Sequence, residues 1–225
     1  MSISQNIAKI LDEIKPYGSR LIAVSKTHPA EAVREAFEYG QLDFGENKVQ
    51  EVQDKKPLLP NEIHWHLIGH LQSNKVKYIA PYIHLIHSVD SLRLLEEINK
   101  EGKKNNRIIS CLLQVHIAQE ETKFGADAND VRTWLADRAL DAFEHVNIKG
   151  FMGMASFTSD EKIVRQEFKQ LKNLFDESAQ HYQSGNTQWE ELCMGMSADY
   201  KIALDEGSTM IRVGSAIFGN RTYHT

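Results

Sequence analysis

The sequence predicts an α/β fold: a (β/α)8 TIM barrel with one additional helix at its N-terminus, formed by residues 1–225 as a single domain. Two observations favour this fold. Short apolar runs recur eight times along the chain, and apolar stripes at helical spacing lie between most of them. The length of 225 residues also suits an α/β barrel, which commonly uses about 200–250 residues as one domain. An open doubly wound sheet is the structural alternative, because periodicity locates strands less securely than helices.

The eight apolar runs are predicted to be parallel strands, since strands that alternate with helices are joined by crossover connections. Eight such strand–helix units are typical of a closed barrel. The runs lie near residues 21–25, 42–44, 63–68, 84–87, 109–117, 148–154, 191–194 and 209–213.

The helices are predicted from apolar spacing and from capping residues. Isoleucines share one face over residues 3–14, which indicates an opening amphipathic helix. A second helix is predicted to end at Gly40, and Asp90 is predicted to cap a third. Thr158 and Glu161 have capping-box spacing ahead of a longer helix. One more helix is expected from the spacing of Val131, Leu135, Ala139 and Ala142.

The composition is that of an ordinary globular protein, with 41% hydrophobic and 25% charged residues. The net charge of −5 indicates no general attraction to nucleic acid or to an anionic membrane. No apolar stretch resembles a signal peptide or a membrane span, so a cytoplasmic protein is expected. Cys111 and Cys193 lie in apolar runs and are predicted to be buried thiols in a reducing compartment.

Lys26 is the first candidate functional residue. It ends the apolar run 21–25 and is followed by Thr27-His28-Pro29, where proline suits the first turn of a helix. A lysine in this connection between a strand and a helix is expected to point into the mouth of a barrel, where active sites lie. Partial shielding from water disfavours a charged ammonium group, and a neutral amine can attack a carbonyl carbon.

Two later segments predict a phosphate site at the same end of the barrel. Phosphates often bind to the loops after the seventh and eighth strands of this fold. Ser197 is predicted to cap a helix that runs toward Glu206, and the amino end of a helix attracts anions. Gly214 lets the backbone approach a ligand, and Ser215 adds a hydroxyl group.

Arg212 and Asn47 are predicted to lie near this site. Arg212 alternates with Met210 and Gly214, so it can point into the barrel mouth, where it needs an acceptor. A salt bridge inside the barrel is an equally good interpretation of Arg212. Asn47 follows the second strand and is predicted to be a helix N-cap with its amide near the mouth.

His64 and His66 raise a metal hypothesis, because residues two apart in a strand face the same side. Histidines at strand ends of a barrel are typical of metal-dependent hydrolases. The sequence shows no further ligand cluster after a later strand, and His84 and His87 are expected to face opposite sides of one strand. No metal is therefore expected.

A lysine, a phosphate site and an arginine at one barrel mouth together indicate pyridoxal 5′-phosphate (PLP). This cofactor has an aldehyde for the lysine, a phosphate for the anion site and a pyridine nitrogen for a polar partner.

The sequence resembles the YggS/PROSC family of pyridoxal phosphate homeostasis proteins over nearly its whole length. Each shared string alone is weakly specific, but their order and spacing together are highly specific. The strings are AVSKT at 23–27, FGENKVQE at 44–51, WHLIGHLQSNK at 65–75, SVDS at 88–91, KFG at 123–125, MGMSADY at 194–200 and RVGSAIFG at 212–219. Two departures are His116, where the family is expected to have asparagine, and the string GFMGMA at 150–155.

The resemblance implies a fold type III PLP barrel similar to the N-terminal domain of alanine racemase. It implies that Lys26 forms the Schiff base and that Ser197, Gly214 and Ser215 hold the phosphate. Arg212 would face the pyridine nitrogen, and Asn47 would lie near the ring. The family is associated with binding and buffering PLP and with amino-acid homeostasis. Apo PLP-dependent enzymes are the expected recipients, and a monomer is the expected state.

The resemblance also implies little catalysis. Alanine racemase adds a C-terminal β domain and takes its second proton-transfer base, a tyrosine, from the partner subunit. This chain ends six residues after Gly219, so neither feature is expected. A guanidinium group on the ring nitrogen makes the ring a poorer electron sink. The alternative is a racemase-like PLP enzyme with an unidentified substrate, for which His66 and Tyr200 are the candidate second bases.

Overall fold

The computed structural model describes residues 2–120 and 124–219. Its centre is a closed barrel of eight parallel strands in sequence order, with the first strand paired to the last. The strands are β1 (Arg20–Val24), β2 (Asp43–Glu46), β3 (His64–Leu67), β4 (Leu85–Val89), β5 (Ile109–Gln114), β6 (Val146–Met152), β7 (Thr187–Cys193) and β8 (Met210–Val213). The predicted TIM barrel is confirmed, and the open doubly wound alternative is wrong.

Helices surround this barrel and lie between consecutive strands, before the first strand and after the last. They are α1 (Ile3–Ile14), α2 (Ala30–Glu38), α3 (Val49–Lys55), α4 (Val76–Ile79), α5 (Leu92–Lys104), α6 (Ala128–Ala136), α7 (Glu161–His181), α8 (Tyr200–Asp205) and α9 (Ser215–Phe218). Short 3-10 turns lie at Lys15–Tyr17, Lys56–Leu58, Ser73–Lys75 and Ala139–Ala142. Among the described residues, no helix combines the length and the apolar composition that a membrane span requires.

The predicted caps of α5 and α7 are wrong by one and two residues, respectively. The cap of α5 is Ser91, whose hydroxyl accepts a hydrogen bond from the Leu94 amide at 3.4 Å, and not Asp90. The cap of α7 is Asp160, which accepts from the Lys162 amide. Thr158 instead accepts from the Asp160 amide at 3.1 Å, so its hydroxyl stabilises the turn before the cap. Neighbouring polar residues can each cap a helix, and the entry angle of the chain selects one of them.

The helix predicted from Val131 to Ala142 is also interrupted. It ends at Ala136, and the chain resumes as a 3-10 turn after Arg138, whose φ angle is 55°. A left-handed residue cannot continue an α-helix. The shared spacing of the apolar residues therefore extends across two separate elements.

The apolar core has two layers. The outer layer lies between the sheet and the helices and includes the fully buried Phe44, Phe151 and Phe168. The inner layer fills the barrel itself, with side chains from six strands: Ile22, Leu85, Leu112, Met152, Cys193 and Met210. This plug closes the middle of the barrel, so a ligand can enter the barrel only at its ends.

The N-terminal helix α1 is tied to the last described helix. Its isoleucines Ile7, Ile10 and Ile14 are buried, and the side-chain amide of Asn6 donates to the Ile217 carbonyl of α9 at 2.8 Å. A capping box formed by Ser2 and Gln5 begins α1. Because α9 directly follows β8, α1 supports the backbone at the carboxyl end of that strand.

Candidate functional site

A cavity of about 480 Å³ opens at the carboxyl ends of the barrel strands. All six residues singled out from the sequence line it: Lys26, Asn47, Ser197, Arg212, Gly214 and Ser215. The structure therefore brings together side chains and backbone from β1, β2, β7 and β8 and from the loops that follow them. Lys123, part of one family string, lies outside the described residues.

Lys26 lies in a tight turn directly after β1 and is half-buried. The Ser25 carbonyl accepts a hydrogen bond from the His28 amide at 3.1 Å, which closes the turn around Lys26 and Thr27. Thr27 has a φ angle of 67°, an uncommon conformation for a β-branched residue. The Glu51 carboxylate accepts from the Thr27 amide at 2.8 Å and stabilises this conformation from α3.

A buried polar cluster lies behind this turn. The Lys55 ammonium donates to the Ser25 carbonyl at 2.8 Å and to the Glu46 carboxylate at 2.7 Å. The Ser25 hydroxyl donates to the same Glu46 oxygen at 2.6 Å. Burial raises the pKa of Glu46 to about 7, although Lys55 and Ser25 oppose that shift. This cluster fixes the backbone that carries Lys26, and no pattern in the sequence predicted it.

Ser197 and Gly214 lie side by side across the predicted phosphate site. The Gly214 amide donates to the Ser197 hydroxyl at 3.2 Å. The prediction that Ser197 caps the next helix is wrong, because α8 begins at Tyr200 with Asp199 in the cap position. Gly195 adopts a φ angle of 94°, which turns the chain sharply after β7 and brings Ser197 toward β8.

Glycine is required at position 214 for two reasons: the backbone packs closely against β1, and a side chain would keep the backbone away from a ligand. A Cβ atom at this position would lie 3.1 Å from the Val24 carbonyl oxygen and 3.3 Å from the Val24 Cβ atom. The ends of β1 and β8 therefore approach each other more closely than a side chain here would allow. Ser215, the first residue of α9, is exposed beside it. The first amides of a helix have no partner within the helix and can face a ligand.

Arg212 lies inside the barrel and is only 4% exposed. Its Nη2 atom donates to the Gly153 carbonyl at a long 3.4 Å, and its buried Nε atom has no hydrogen-bond partner among the described residues. None of the ion pairs in the described residues includes Arg212, so the alternative of a salt bridge inside the barrel finds no support there. A buried guanidinium N–H without an acceptor is costly, which makes Arg212 a candidate ligand contact.

Asn47 reaches the cavity from the loop after β2. The prediction that it caps a helix is wrong, because Lys48 holds the N-cap position of α3. Its backbone packs against Gly69, where a Cβ atom would lie 2.4 Å from the Asn47 carbonyl oxygen. Gly69 thus allows the loops after β2 and β3 to meet at the cavity wall.

Sequence reasoning missed several residues of the cavity wall. His70 follows β3, stacks on the Phe124 ring at a centroid distance of 4.5 Å, and lies 3.8 Å from the Asp90 carboxylate. Three further apolar side chains, Met154, Phe157 and Met196, line the opening. His70 is three residues after the end of a strand, so the rule that barrel sites follow strand ends was the signal that could have found it.

The two candidate second bases do not line the cavity. His66 is fully buried inside the barrel, where its Nδ1 atom lies 2.9 Å from His87 Nε2. The Tyr200 hydroxyl donates to the Glu13 carboxylate at 2.5 Å. Burial and this carboxylate raise the pKa of Tyr200 to about 12. His116, the departure from the family pattern, is bonded to the Glu120 carbonyl and also lies outside the cavity.

The fold and the cavity define a class: barrels of the type found in the N-terminal domain of alanine racemase. The model of that family, "Alanine racemase, N-terminal domain", matches residues 1–222. An alanine racemase from Bartonella henselae has the same fold, with a TM-score of 0.73 and 15% identity. The match covers 99% of this chain and 60% of that chain.

Closer relatives identify the family. The pyridoxal phosphate homeostasis protein of Aquifex aeolicus is 35% identical over 99% of this chain and 100% of its own length. That of Homo sapiens is 34% identical over 98% of this chain and 83% of its own length. The structure of PipY from Synechococcus elongatus with PLP bound is 37% identical, with a TM-score of 0.88, over 97% of this chain and 100% of that chain. This chain belongs to the pyridoxal phosphate homeostasis family, as the shared strings predicted.

Proposed function

We propose that residues 1–225 form one PLP-binding domain, in which PLP forms a Schiff base with Lys26 and is buffered and delivered without efficient turnover of a substrate. When bound, PLP supplies an aldehyde carbon to an amine and an electron-accepting ring to an amino acid. The names of the relatives and the PLP-bound PipY structure support PLP binding and a homeostatic role. The residues of the cavity support the finer assignments.

The buried Nε atom of Arg212, which is unpaired in the described part of the chain, is the observation that most strongly supports this proposal. Arg212 also lines the cavity. The pyridine nitrogen of PLP is an acceptor, so PLP fits a donor that the protein itself leaves unpaired. A guanidinium group stays protonated and would donate to this nitrogen, which would disfavour proton transfer to the ring.

The other cavity residues fit the remaining groups of the cofactor. Lys26 places an amine at the end of β1, where an aldehyde can be attacked. Ser197, Gly214 and Ser215 offer two hydroxyl groups and backbone amides to the phosphate. Asn47 lines the same cavity and would contribute an amide group near the ring. These four residues and Lys26 would bind and orient PLP at the mouth of the barrel.

Limited turnover is supported by the small number of titratable groups at the cavity. Among the described residues that line it, these groups are Lys26, His70 and Arg212. A racemase needs an acid or base on each face of the planar intermediate, and each such group is worth about 10²–10⁴-fold in rate. The racemase-like alternative therefore depends on His70, which stacks on Phe124 at one side of the cavity.

Delivery is supported by the apolar rim of the cavity. The Phe157 side chain is 93% exposed, and Phe124 and Met196 are also exposed beside the opening. An exposed apolar rim around a ligand site is typical of a surface that contacts another protein. We infer that apo PLP-dependent enzymes dock here and receive PLP, that the protein is a monomer, and that it works in the cytoplasm.

Reduction with borohydride tests the Schiff base. We expect purified, PLP-loaded protein to be yellow and to retain the cofactor covalently on one peptide after reduction. Peptide mapping should locate the label on Lys26, and Lys26→Ala should lose the visible absorption band while remaining folded. A label on another lysine, such as Lys123 or Lys201, would refute the assignment.

Deuterium exchange separates the carrier from the enzyme. Amino acids incubated with the PLP-loaded protein in D₂O should show slow or undetectable α-proton exchange by NMR. Transfer of PLP to an apo-enzyme should be measurable, and Phe157→Ser should slow transfer by a larger factor than it weakens PLP binding. Fast exchange that is lost in both Lys26→Ala and His70→Ala would favour the enzyme.

A further inference from the structure

A second polar cluster lies at the opposite end of the barrel from the cavity. Asp43 is the first residue of β2, His64 is the first residue of β3, and His84 directly precedes β4. His66, two residues further along β3, points to the same side as His64, since both contact the Asp43 carboxylate. Adjacent strands therefore bring these side chains together at the amino end of the barrel.

The sequence did not predict that Asp43 and these histidines form a cluster. His84 and His87 were expected to face opposite sides of one strand, which is wrong: the rings of both contact His66, with centroid distances of 5.2 and 5.1 Å. The pairing of β4 with β5 shifts register between Ile86 and Val89, and His84 lies before the strand begins. Strict alternation therefore does not apply to this pair.

We propose that Asp43, His66 and His84 form a binding site for a divalent transition metal of the zinc class. One ligand atom from each residue lies within 4.8 Å of the other two. Two imidazoles and one carboxylate are a donor set that zinc uses in sites with an open fourth position. His84 is exposed at the barrel end, so the fourth position faces solvent.

The distances agree with this assignment. His66 Nε2 lies 3.0 Å from Asp43 Oδ1, and the ligand atom of His84 lies within 4.8 Å of those of both residues. Zinc bonds of about 2.0–2.1 Å in tetrahedral geometry place two ligand atoms roughly 3.3 Å apart. A metal ion would replace the proton that His66 and Asp43 share, and small shifts of the side chains would accommodate it.

The surroundings of His66 also suit a metal ligand. Its Nδ1 atom contacts His87 Nε2 at 2.9 Å inside the barrel. A metal-bound histidine usually donates its other ring N–H to such a partner, which fixes the tautomer and the ring orientation.

A metal ion at this site would link β2, β3 and the start of β4 at the amino end of the barrel. The apolar plug of Ile22, Leu85 and Met210 lies among the strands in the barrel interior, while the cofactor cavity opens at the strands' carboxyl ends. None of the three ligand residues lines the cofactor cavity, so the effect expected of the metal is on stability.

Metal titration of tag-free, PLP-loaded protein tests this proposal. After dialysis against a chelator, the protein should bind one equivalent of Zn²⁺, and Co²⁺ should give the visible absorption of a tetrahedral ion. Asp43→Asn and His84→Ala should each weaken Zn²⁺ binding at least about 100-fold, since each removes a direct ligand. The exposed His181 on α7 supplies the control, and His181→Ala should bind Zn²⁺ like the parent.

The thermal transition provides a second measurement. Zn²⁺ should raise the unfolding temperature of the parent and of His181→Ala, but not that of His84→Ala, whose exposed side chain is not needed for folding. Either of two results would overturn the proposal: no Zn²⁺ binding by the parent at millimolar metal, or equal binding by the parent, Asp43→Asn and His84→Ala.

Discussion

Arg212 places a guanidinium group inside the barrel, with no carboxylate partner in the part of the chain that the structure describes. A buried, unpaired charge destabilises the folded state, and replacement by an apolar residue of similar size is often stabilising. The cost of this residue in the apo protein is therefore the physical reason to expect a ligand beside it.

The variant Arg212→Leu tests this reasoning. We expect the free energy of unfolding of the apo protein to rise by about 1 kcal/mol or more. We expect PLP affinity to fall at least about tenfold, since a hydrogen bond to a charged group is worth roughly 1.5–3 kcal/mol. Urea unfolding of the apo form and titration with PLP measure the two effects. A less stable apo protein with unchanged PLP affinity would show that Arg212 is purely structural.

Gly214 and Ser215 make a second comparison between single residues. A Cβ atom at Gly214 would press on the Val24 carbonyl oxygen at 3.1 Å, whereas Ser215 is exposed. We expect Gly214→Ala to reduce PLP affinity more than Ser215→Ala, because it displaces the backbone that faces the phosphate. Affinity for pyridoxal, which has no phosphate, should be much lower than for PLP and less affected by either variant.

Absorbance titrations of both variants with PLP and pyridoxal make this measurement. If PLP and pyridoxal bind the unmodified protein equally well, the phosphate site has no role in affinity.

The element that carries Lys26 is the turn between β1 and α2, and its stability depends on the cluster of Ser25, Glu46 and Lys55. Glu46 is fully buried, and one of its carboxylate oxygens has no partner in the described residues. Burial raises the pKa of Glu46 from 4.5 to about 7. The folded protein therefore binds a proton at Glu46 more tightly than the unfolded chain does.

This shift predicts the pH dependence of stability. Between pH 4.5 and about 7, the folded state holds more protons at Glu46 than the unfolded state. The contribution of Glu46 is therefore fully present below pH 4.5 and is lost as the pH rises through about 7. Glu46→Gln should remove this contribution, so its unfolding free energy should fall less over the range than that of the parent.

Urea unfolding of the parent and of Glu46→Gln at pH 5, 6, 7 and 8 makes the comparison. The control Glu97→Gln removes the half-buried carboxylate that pairs with the exposed Lys100 on α5, and it should follow the parent. Identical slopes for the parent and Glu46→Gln would contradict the assignment of the raised pKa to Glu46.

At the scale of the whole molecule, the cavity exists only when the barrel is closed. Lys26 follows β1 and Arg212 lies on β8, and these two strands pair although they lie at opposite ends of the described chain. A ligand that contacts both residues binds the folded state alone. It stabilises that state by roughly 2.7 kcal/mol when its concentration is a hundred times the dissociation constant.

We expect PLP to raise the unfolding temperature of the parent in proportion to the logarithm of its concentration. Lys26→Ala should retain a smaller increase, because the contacts to the phosphate and ring remain after the covalent bond is lost. Differential scanning calorimetry at several PLP concentrations measures both. An unfolding temperature that does not respond to PLP would contradict binding in a cavity that closes with the barrel.

The sequence by itself determined the barrel and most of its candidate site. Apolar runs mark strands because a strand covered on both faces excludes water from nearly every side chain. Lys26 and Arg212 could be found because the ends of parallel strands converge in a barrel. Local chemistry did not settle the helix caps, since Asp90 and Ser91 are both good caps and only the path of the chain selects Ser91.

Only the tertiary structure decided which distant residues meet. His70 joins the cavity, and His66 and Tyr200 do not, because the direction of a side chain depends on register and on packing against other elements. The contacts among Asp43, His66 and His84 depend on three neighbouring strands and on the shift of register after Ile86. Such contacts join residues up to 41 positions apart, and no local pattern in the sequence records them.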